Sequence, residues 1–246
     1  MAKANLIDFT GAGRPDETRH AADMLVFSKS TRLKMEPGLL DRIKRMTNEE
    51  IERELDYMAG TIPSSWEMID VTFLLSDVSR ATAQQITRTR TGSYAMQSQR
   101  VTDVREAGAV NPLADDDGNR PAYDRALDAA FAQYETLVDE GVALQDARGV
   151  LPINARCNLM AKYNFRSFVE LMAARSSLRV QGEYADLAAE MKDEVLRVWP
   201  WAEAFFRPKN ERAIEMLEAV VNDMHLEPGR GAGWQIAKAI DLIRKG

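Results

Sequence analysis

Residues 88–100 are rich in hydrogen-bond donors and contain no acid, with three arginines, two serines and two glutamines. Arginine forks bind phosphate oxygens in a bidentate manner, and serine hydroxyls and backbone N–H groups add further donors. The composition therefore predicts an anion-binding segment, while a solvated basic strand is the alternative that composition leaves open.

A second segment, residues 148–183, carries two of its arginines on a predicted helix. Arg166 and Arg175 stand nine positions apart, which is about two and a half helical turns. They therefore point to different sides of the helix, and this suits two separate anionic or polar partners better than one. Surface arginines without a ligand are the alternative.

The composition of the 246-residue chain limits the remaining chemistry. Its net charge of −6 disfavours a globally basic nucleic-acid binder, although a local basic patch is compatible with it. Cys157 is the one cysteine, and it falls on the apolar phase of a predicted strand, so a core position is expected. His20 and His225, the two histidines, are far apart in sequence and predict neither a zinc site nor a Ser-His-Asp triad. No metal site is expected.

Helical spacing dominates the elements that must position these residues. Alternating apolar residues predict strands at residues 5–10, 69–75 and 151–159. A capping box of Thr47 and Glu50 predicts a helix that runs to Ala59. Further helices are predicted at residues 16–28, 78–87, 123–145, 164–176, 180–198 and 211–224. The pattern predicts an α+β chain, α/β in the broad sense, that is helix-rich with a small central sheet.

Residues 88–100 resemble the signature of flavin-dependent thymidylate synthases, R-H-R-x-x-S-x-N-E-x-S-x-R. Five of its eight fixed positions match, namely Arg88, Arg90, Ser93, Ser98 and Arg100. The second segment is similar to a later block of that family, an Arg before Leu-Pro, then N-x-R-S, a helical Arg and Q-x-E. It supplies, in that order, Arg148, Leu151, Pro152, Asn164, Arg166, Ser167, Arg175, Gln181 and Glu183. The family's early S/T-x-x-E is matched by Ser64 and Glu67.

The resemblance covers about residues 5–206. It implies a flavin-dependent thymidylate synthase-like domain at residues 1–206 and leaves residues 207–246 as a helical C-terminal extension. The family forms homotetramers of α/β subunits that bind FAD where subunits meet, and it converts dUMP to dTMP. Methylene-tetrahydrofolate is the carbon donor, NADPH is the reductant, and the reduced flavin passes a hydride to the pyrimidine. A cytoplasmic enzyme without membrane or nucleic-acid partners is therefore expected.

The resemblance also implies a role for each matching residue. The flavin would be lined by Ser64, Glu67, Arg88, Arg90, Asn164 and Arg166. The nucleotide, chiefly its phosphate, would be held by Gln85, Ser98, Gln99, Arg100 and Arg148. Arg175 would bind the substrate and act catalytically by facing the uracil and stabilising negative charge as N3 ionises. Ser98 has no visible base to activate it, so a phosphate-binding role is preferred to a nucleophilic one.

The chain departs from the signature at Thr89, Ala95 and Met96, which stand where the family has His, Asn and Glu. Glu170 and Arg179 likewise stand where the family often has Asn and His. Changes around a retained nucleotide site indicate a shifted substrate, so the prediction is C5-methylation of UMP and/or dUMP. The alternatives are modification of dCMP or hydroxymethylation in a phage-type pathway, a non-catalytic flavin- or nucleotide-binding relative, and a nucleic-acid binder that uses the arginine-rich segment.

Overall fold

The computed structural model describes residues 2–30, 35–61, 63–175 and 182–207, with the single positions 217 and 236. The strands in these ranges are β1 (Lys3–Phe9), β2 (Asp70–Ser79), β3 (Ser93–Met96) and β4 (Arg156–Asn164). The α-helices are α1 (Glu17–Lys29), α2 (Leu39–Lys44), α3 (Asn48–Ala59), α4 (Arg80–Ile86), α5 (Arg120–Asp139), α6 (Leu144–Ala147), α7 (Phe165–Arg175) and α8 (Gly182–Val198). The helix predicted at residues 211–224 lies outside the described residues. None of the described helices is long and apolar enough to cross a membrane.

The four strands form one sheet in the order β1-β2-β4-β3, and every neighbouring pair is antiparallel. The central pair, β2 and β4, aligns Phe73 with Ala161 and Asp70 with Asn164. A small antiparallel sheet beside many helices is an α+β arrangement. The predicted fold class, helix-rich with a small central sheet, is confirmed.

The two faces of the sheet have different surroundings. Alternate side chains of the central strands are buried on one face, among them Phe73, Leu159 and Tyr163. Helices α7 and α8 contact the strands on this face. On the other face Leu74 and Met160 are register partners and are 37% and 45% exposed. Helix α7, which carries Arg166 and Arg175, is therefore anchored on one side of the sheet, where Phe168 stacks on Phe73.

Aromatic rings fix the start of α7. Phe165, its first residue, meets Trp199 and Phe205 edge-on at centroid distances of 5.8 and 5.3 Å. Trp199 also stacks on Trp201 at 5.4 Å. Burial of rings of this size contributes strongly to core stability, so the turn of α7 that follows Asn164 has a rigid base.

The beginning of α4 differs from the prediction, whereas the beginning of α3 agrees with it. The helix predicted at residues 78–87 starts only at Arg80, because β2 continues to Ser79. The Ser79 hydroxyl then caps the helix by accepting a hydrogen bond from the Thr82 N–H at 3.0 Å. The capping box of Thr47 and its helix to Ala59 are confirmed.

Two other predicted boundaries are wrong. The helix predicted at residues 123–145 stops at Asp139, because Gly141 adopts a left-handed φ of 86° that ends the helix. The strand predicted at residues 151–159 begins only at Arg156, because the preceding residues form a turn. Cys157 is buried on the core face of β4, as its alternation predicts.

Candidate functional site

A polar groove of about 470 Å³ lies where α4 begins, and we call it the donor groove. Two residues predicted to bind the nucleotide, Gln99 and Arg148, line it together. The remaining lining residues are Arg80, Gln145, Gly149, Leu151, Pro152 and Ile153. Two guanidinium groups and amide groups thus face one groove, and no carboxylate is among its lining residues.

The donor groove is built at the junction of the two central strands. Arg80 follows directly on β2, and its backbone N–H donates to Ala155 O at 3.0 Å, just before β4. The Ala81 N–H donates to Ile153 O, also at 3.0 Å. These bonds hold the start of α4 against the turn that precedes β4, so the arginine at the end of one strand faces residues that lead into the other.

The side chains of the donor groove lack partners of opposite charge. Arg80 and Arg148 form no ion pair with any described residue, and the Arg148 Nε donates to Gln145 O at 3.1 Å. Gln99 is 4% exposed, and its Nε2 is buried without a hydrogen-bond partner in the described part of the chain. A buried donor without an acceptor costs about 1–3 kcal/mol. The groove is therefore suited to an anion that accepts these hydrogen bonds.

Glu183 supports α4 and so supports the donor groove. Its carboxylate accepts hydrogen bonds from Ser79 N–H at 2.8 Å, Ser79 Oγ at 2.5 Å and Thr82 Oγ1 at 2.7 Å. Ser79 and Thr82 are buried, so these hydroxyls depend on the carboxylate for an acceptor. Gln85 lies near the end of the same helix, half-buried and engaged within the chain.

The other predicted residues of the arginine-rich segment lie outside the donor groove. Arg88, Arg90 and Arg100 are exposed, and their side chains form no ion pair with the residues that the structure describes. Ser98 is exposed and its hydroxyl accepts from the Arg100 backbone N–H at 3.2 Å. The segment therefore sends one buried amide, that of Gln99, into the groove and presents its guanidinium groups to solvent.

Three further side chains form what we call the ion-paired cluster. Arg166 donates from Nη1 to Glu67 Oε1 at 2.8 Å and from Nε to Glu170 Oε1 at 2.9 Å. Hydrogen bonds from Glu170 and then Glu67 raise the pKa of the Arg166 guanidinium. Two residues predicted to line the flavin, Glu67 and Arg166, are thus brought together. Ser64 is exposed on the same 3-10 turn as Glu67, Pro63–Met68.

Asn164, also predicted to line the flavin, has a structural use. Its Oδ1 accepts a hydrogen bond from the Ser167 N–H at 2.9 Å, at the start of α7. This is the geometry of a helix N-cap. The contact orients the turn that carries Arg166, and the Asn164 Nδ2 donors remain for other partners.

Arg175 ends α7 and lies apart from the donor-groove lining. Its Cζ is 4.5 Å from the centroid of the Tyr184 ring, a cation–π contact. Its Nε is buried without a hydrogen-bond partner among the described residues. Tyr184 and Arg80 carry polar groups in these sites and are not among the residues predicted from the sequence. A signal for Arg80 exists in the sequence, because it is the first residue of the helix that carries Gln85.

A larger groove of about 780 Å³ lies beside α5, and its chemistry is different. Arg105 is bound there by Asp103 at 2.7 Å and Asp139 at 3.0 Å. Hydrogen bonds from Arg105 lower the pKa of the Asp103 carboxyl. Across the described ranges no group of three or more His, Cys, Asp or Glu residues is arranged to hold a metal ion. Arg105 in this groove is already neutralised by carboxylates, unlike Arg80 and Arg148 in the donor groove.

The sequence model of the family described as "Thymidylate synthase complementing protein" matches residues 5–201. The chain belongs to this family. The predicted resemblance is confirmed by relatives named flavin-dependent thymidylate synthase. The Geobacter sulfurreducens relative is 33% identical over 138 residues, which are 54% of this chain and 60% of the relative, so the match spans less than two thirds of that protein. The Saccharolobus solfataricus relative is 27% identical over 198 residues, 75% of each chain.

A solved structure has the same fold. It is the UMP/dUMP methylase PolB from Streptomyces cacaoi, determined with bound 5-Br dUMP. The two chains are 21% identical and superpose with a TM-score of 0.64, covering 83% of this chain and 94% of the other. This likeness shows that the family's fold extends across most of the chain.

Proposed function

We propose that this chain methylates C5 of a pyrimidine nucleoside monophosphate, UMP and/or dUMP, in a flavin-dependent reaction. Methylene-tetrahydrofolate would supply the carbon and NADPH the reducing equivalents. The observation that carries the proposal is the donor groove, in which Arg148 and the buried Gln99 amide meet without any carboxylate. The names of the Geobacter relative and of the Streptomyces methylase support the same class of enzyme.

The donor groove suits the phosphate of the nucleotide. A phosphate monoester is dianionic near neutral pH, and it accepts charge-assisted hydrogen bonds from guanidinium groups and amides. Arg148 and Arg80 would supply the charge and Gln99 an aligned amide donor. Ser98 and Arg100 flank Gln99 in the sequence and would cover the solvent-exposed side of the phosphate. Gln85 on α4 would contact another part of the nucleotide.

The residues predicted for FAD form a donor set that fits a dinucleotide. Arg88 and Arg90 are exposed cations without a carboxylate partner in the described ranges, and they suit a pyrophosphate. Glu67, Arg166, Asn164 and Ser64 offer both donors and acceptors for polar groups of the flavin. When bound, the flavin would supply the hydride chemistry. The donor groove and the ion-paired cluster share no residue, and the family resemblance favours a site completed in a homotetramer.

Arg175 would act on the pyrimidine itself. A guanidinium group beside the ring stabilises negative charge as N3 ionises, without transferring a proton of its own. Its buried Nε donor, which has no partner in the described chain, is consistent with a ligand that completes its hydrogen bonds.

A competition assay tests the function directly. The protein is supplied with FAD, NADPH, methylene-tetrahydrofolate and equal amounts of dUMP, UMP and dCMP, and the nucleotides are weighed by mass spectrometry. We expect a one-carbon gain on UMP or dUMP that Arg148→Ala strongly reduces at low nucleotide concentration and Arg105→Ala preserves. A one-carbon gain on dCMP alone would identify dCMP as the substrate in place of UMP and dUMP. Flavin-loaded protein that adds carbon to none of the three and oxidises NADPH independently of nucleotide would contradict the proposal.

A further inference from the structure

Tyr94, Tyr163, Tyr184 and Arg175 gather polar atoms in the core, and we call them the phenol cluster. Tyr94 and Tyr163 meet edge-on with ring centroids 5.8 Å apart. Tyr163 is 1% exposed and Tyr184 is fully buried. The Tyr184 ring lies under the Arg175 guanidinium, with 4.5 Å between its centroid and Arg175 Cζ. The cluster therefore joins β3, β4, α7 and α8 around one cation.

Three polar atoms of the phenol cluster are buried without a hydrogen-bond partner among the described residues: Arg175 Nε, Tyr163 Oη and Tyr184 Oη. Burial raises the pKa of Tyr184, and the nearby Arg175 and Thr89 oppose that rise, yet neither residue completes a hydrogen bond with the Tyr184 hydroxyl. Burying each of these polar atoms without a hydrogen-bond partner lowers the stability of the folded protein. A purely structural core would favour apolar side chains here, so the cluster points to a use in binding.

The backbone of the arginine-rich segment, residues 88–100, contacts the phenol cluster. The Tyr94 hydroxyl donates to Thr89 O at 2.6 Å. A Cβ on Gly92 would lie 2.7 Å from both Tyr163 Cε1 and Tyr94 Cζ, closer than packed atoms approach. Thr89 stands where the family signature has histidine. The phenol cluster thus contacts the position at which this chain departs from the family signature.

We propose that Tyr184 is a positioning residue that holds Arg175 in the orientation needed to stabilise the ionised pyrimidine. The inference rests on the proposed function. A guanidinium group on a flexible side chain adopts many orientations, and an aromatic face beneath it selects one of them. Because the ring covers one side of the guanidinium, its remaining N–H donors are left for the substrate.

The phenols of the cluster stay neutral while they do this. Burial, as the largest effect, raises the pKa of Tyr94, of Tyr163 and of Tyr184 above the ordinary tyrosine value. Within the described chain they are the titratable groups that accompany Arg175 in the cluster. Any change in ligand affinity between neutral and mildly alkaline pH is therefore assigned to the ligand.

The test uses 5-bromo-dUMP, because bromine at C5 makes N3–H more acidic. Its dissociation constant is measured by calorimetry from neutral to mildly alkaline pH for the full chain and four variants. These are Tyr184→Phe, Tyr184→Leu, Tyr184→Met and the control Tyr134→Phe. The methionine variant provides an unbranched apolar side chain in case the leucine variant fails to fold. Tyr134 is a buried tyrosine whose hydroxyl contacts Asp103, far from the cluster in the fold.

We expect the unmodified chain to bind the analogue more tightly as pH rises, and Tyr184→Phe and Tyr134→Phe to keep this gain. Tyr184→Leu or Tyr184→Met should lose it and bind roughly two- to fivefold more weakly at alkaline pH. An unchanged gain in those variants, or its loss in Tyr184→Phe, would overturn the assignment to the ring. Absence of the gain in the unmodified chain would overturn it too. If the unmodified chain binds no nucleotide at all, the proposed function itself fails.

Discussion

Arg148 in the donor groove and Arg166 in the ion-paired cluster belong to one sequence block that resembles the family, yet their surroundings are opposite. Arg148 meets no carboxylate in the described chain, whereas Arg166 binds Glu67 and Glu170. Glu67 lies ninety-nine positions away in sequence. Whether an arginine is available to a ligand therefore depends on the acidic residues that lie beside it in the fold. The comparison separates a guanidinium that is free to bind a ligand from one that already forms ion pairs within the chain.

Removing the support of the donor groove should have the largest effect. Glu183→Ala leaves the buried hydroxyls of Ser79 and Thr82 without their acceptor, so the free energy of unfolding should fall by about 3 kcal/mol. Urea denaturation measures it. Glu190→Ala is the matched control on the same helix, because its carboxylate accepts one bond, from the Ala4 N–H at 3.1 Å. Equal losses in the two variants would show that Glu183 has no special role.

Removing the central cation of the groove should come next. Arg148→Ala should weaken nucleoside monophosphate binding by about 10- to 100-fold, the value of one or two charge-assisted hydrogen bonds. Calorimetry with dUMP and UMP measures the change. Arg105→Ala, which removes a guanidinium already bound by two carboxylates, should leave the affinity unchanged. Similar losses in both variants would mean that general charge, not the groove, attracts the nucleotide.

Arg80 sharpens the same comparison, because no signature motif contains it. Arg80→Ala should weaken monophosphate binding about tenfold, and Arg80→Lys should restore part of the loss. The matched measurement uses uridine without phosphate, whose binding should not respond to either variant. A loss of uridine binding as large as that of UMP would place Arg80 against the base instead of the phosphate.

The smallest effect on nucleotide binding is expected in the ion-paired cluster. Arg166→Ala should leave the dUMP dissociation constant unchanged and weaken FAD binding a few-fold, because the proposed function assigns Arg166 to the flavin and not to the nucleotide. The unfolding midpoint should change little, since exposed ion pairs add little stability. Flavin fluorescence and calorimetry on one preparation give both constants. A weaker dUMP complex with unaltered FAD affinity would reverse the roles of the two regions.

Much of the fold could be predicted from the sequence because it rests on local patterns. The alternation of Val71, Phe73 and Leu75 marks a strand with one buried face, and Thr47 with Glu50 marks a helix start. Boundaries that depend on distant contacts could not be predicted. The sequence of α4 is compatible with an earlier start, and it is pairing with β4 that keeps residues 78 and 79 extended.

The candidate site could be predicted from the sequence only as single residues. Gln99 and Arg148 are both predicted to bind the nucleotide, and they line the same groove. Arg88, Arg90 and Arg100 are predicted from the same motif, but their side chains are exposed outside the groove. A linear motif does not say towards which side of a turn each side chain points. Arg80 and Tyr184 matter through their neighbours in space, and no spacing rule along the chain connects Tyr184 to Thr89 or Arg175.

The central strand pair has a consequence for how the protein is made. β2 must pair with β4, and the whole chain between Ser79 and Arg156 has to be synthesised first. Closing so long a loop before any pairing is gained makes this a late and slow step. Arg80, Gln99 and Arg148 all lie inside that loop. If the proposed function holds, a growing chain gains its nucleotide affinity in the same event that completes its sheet. Bound nucleotide would then favour the finished fold over every shorter intermediate.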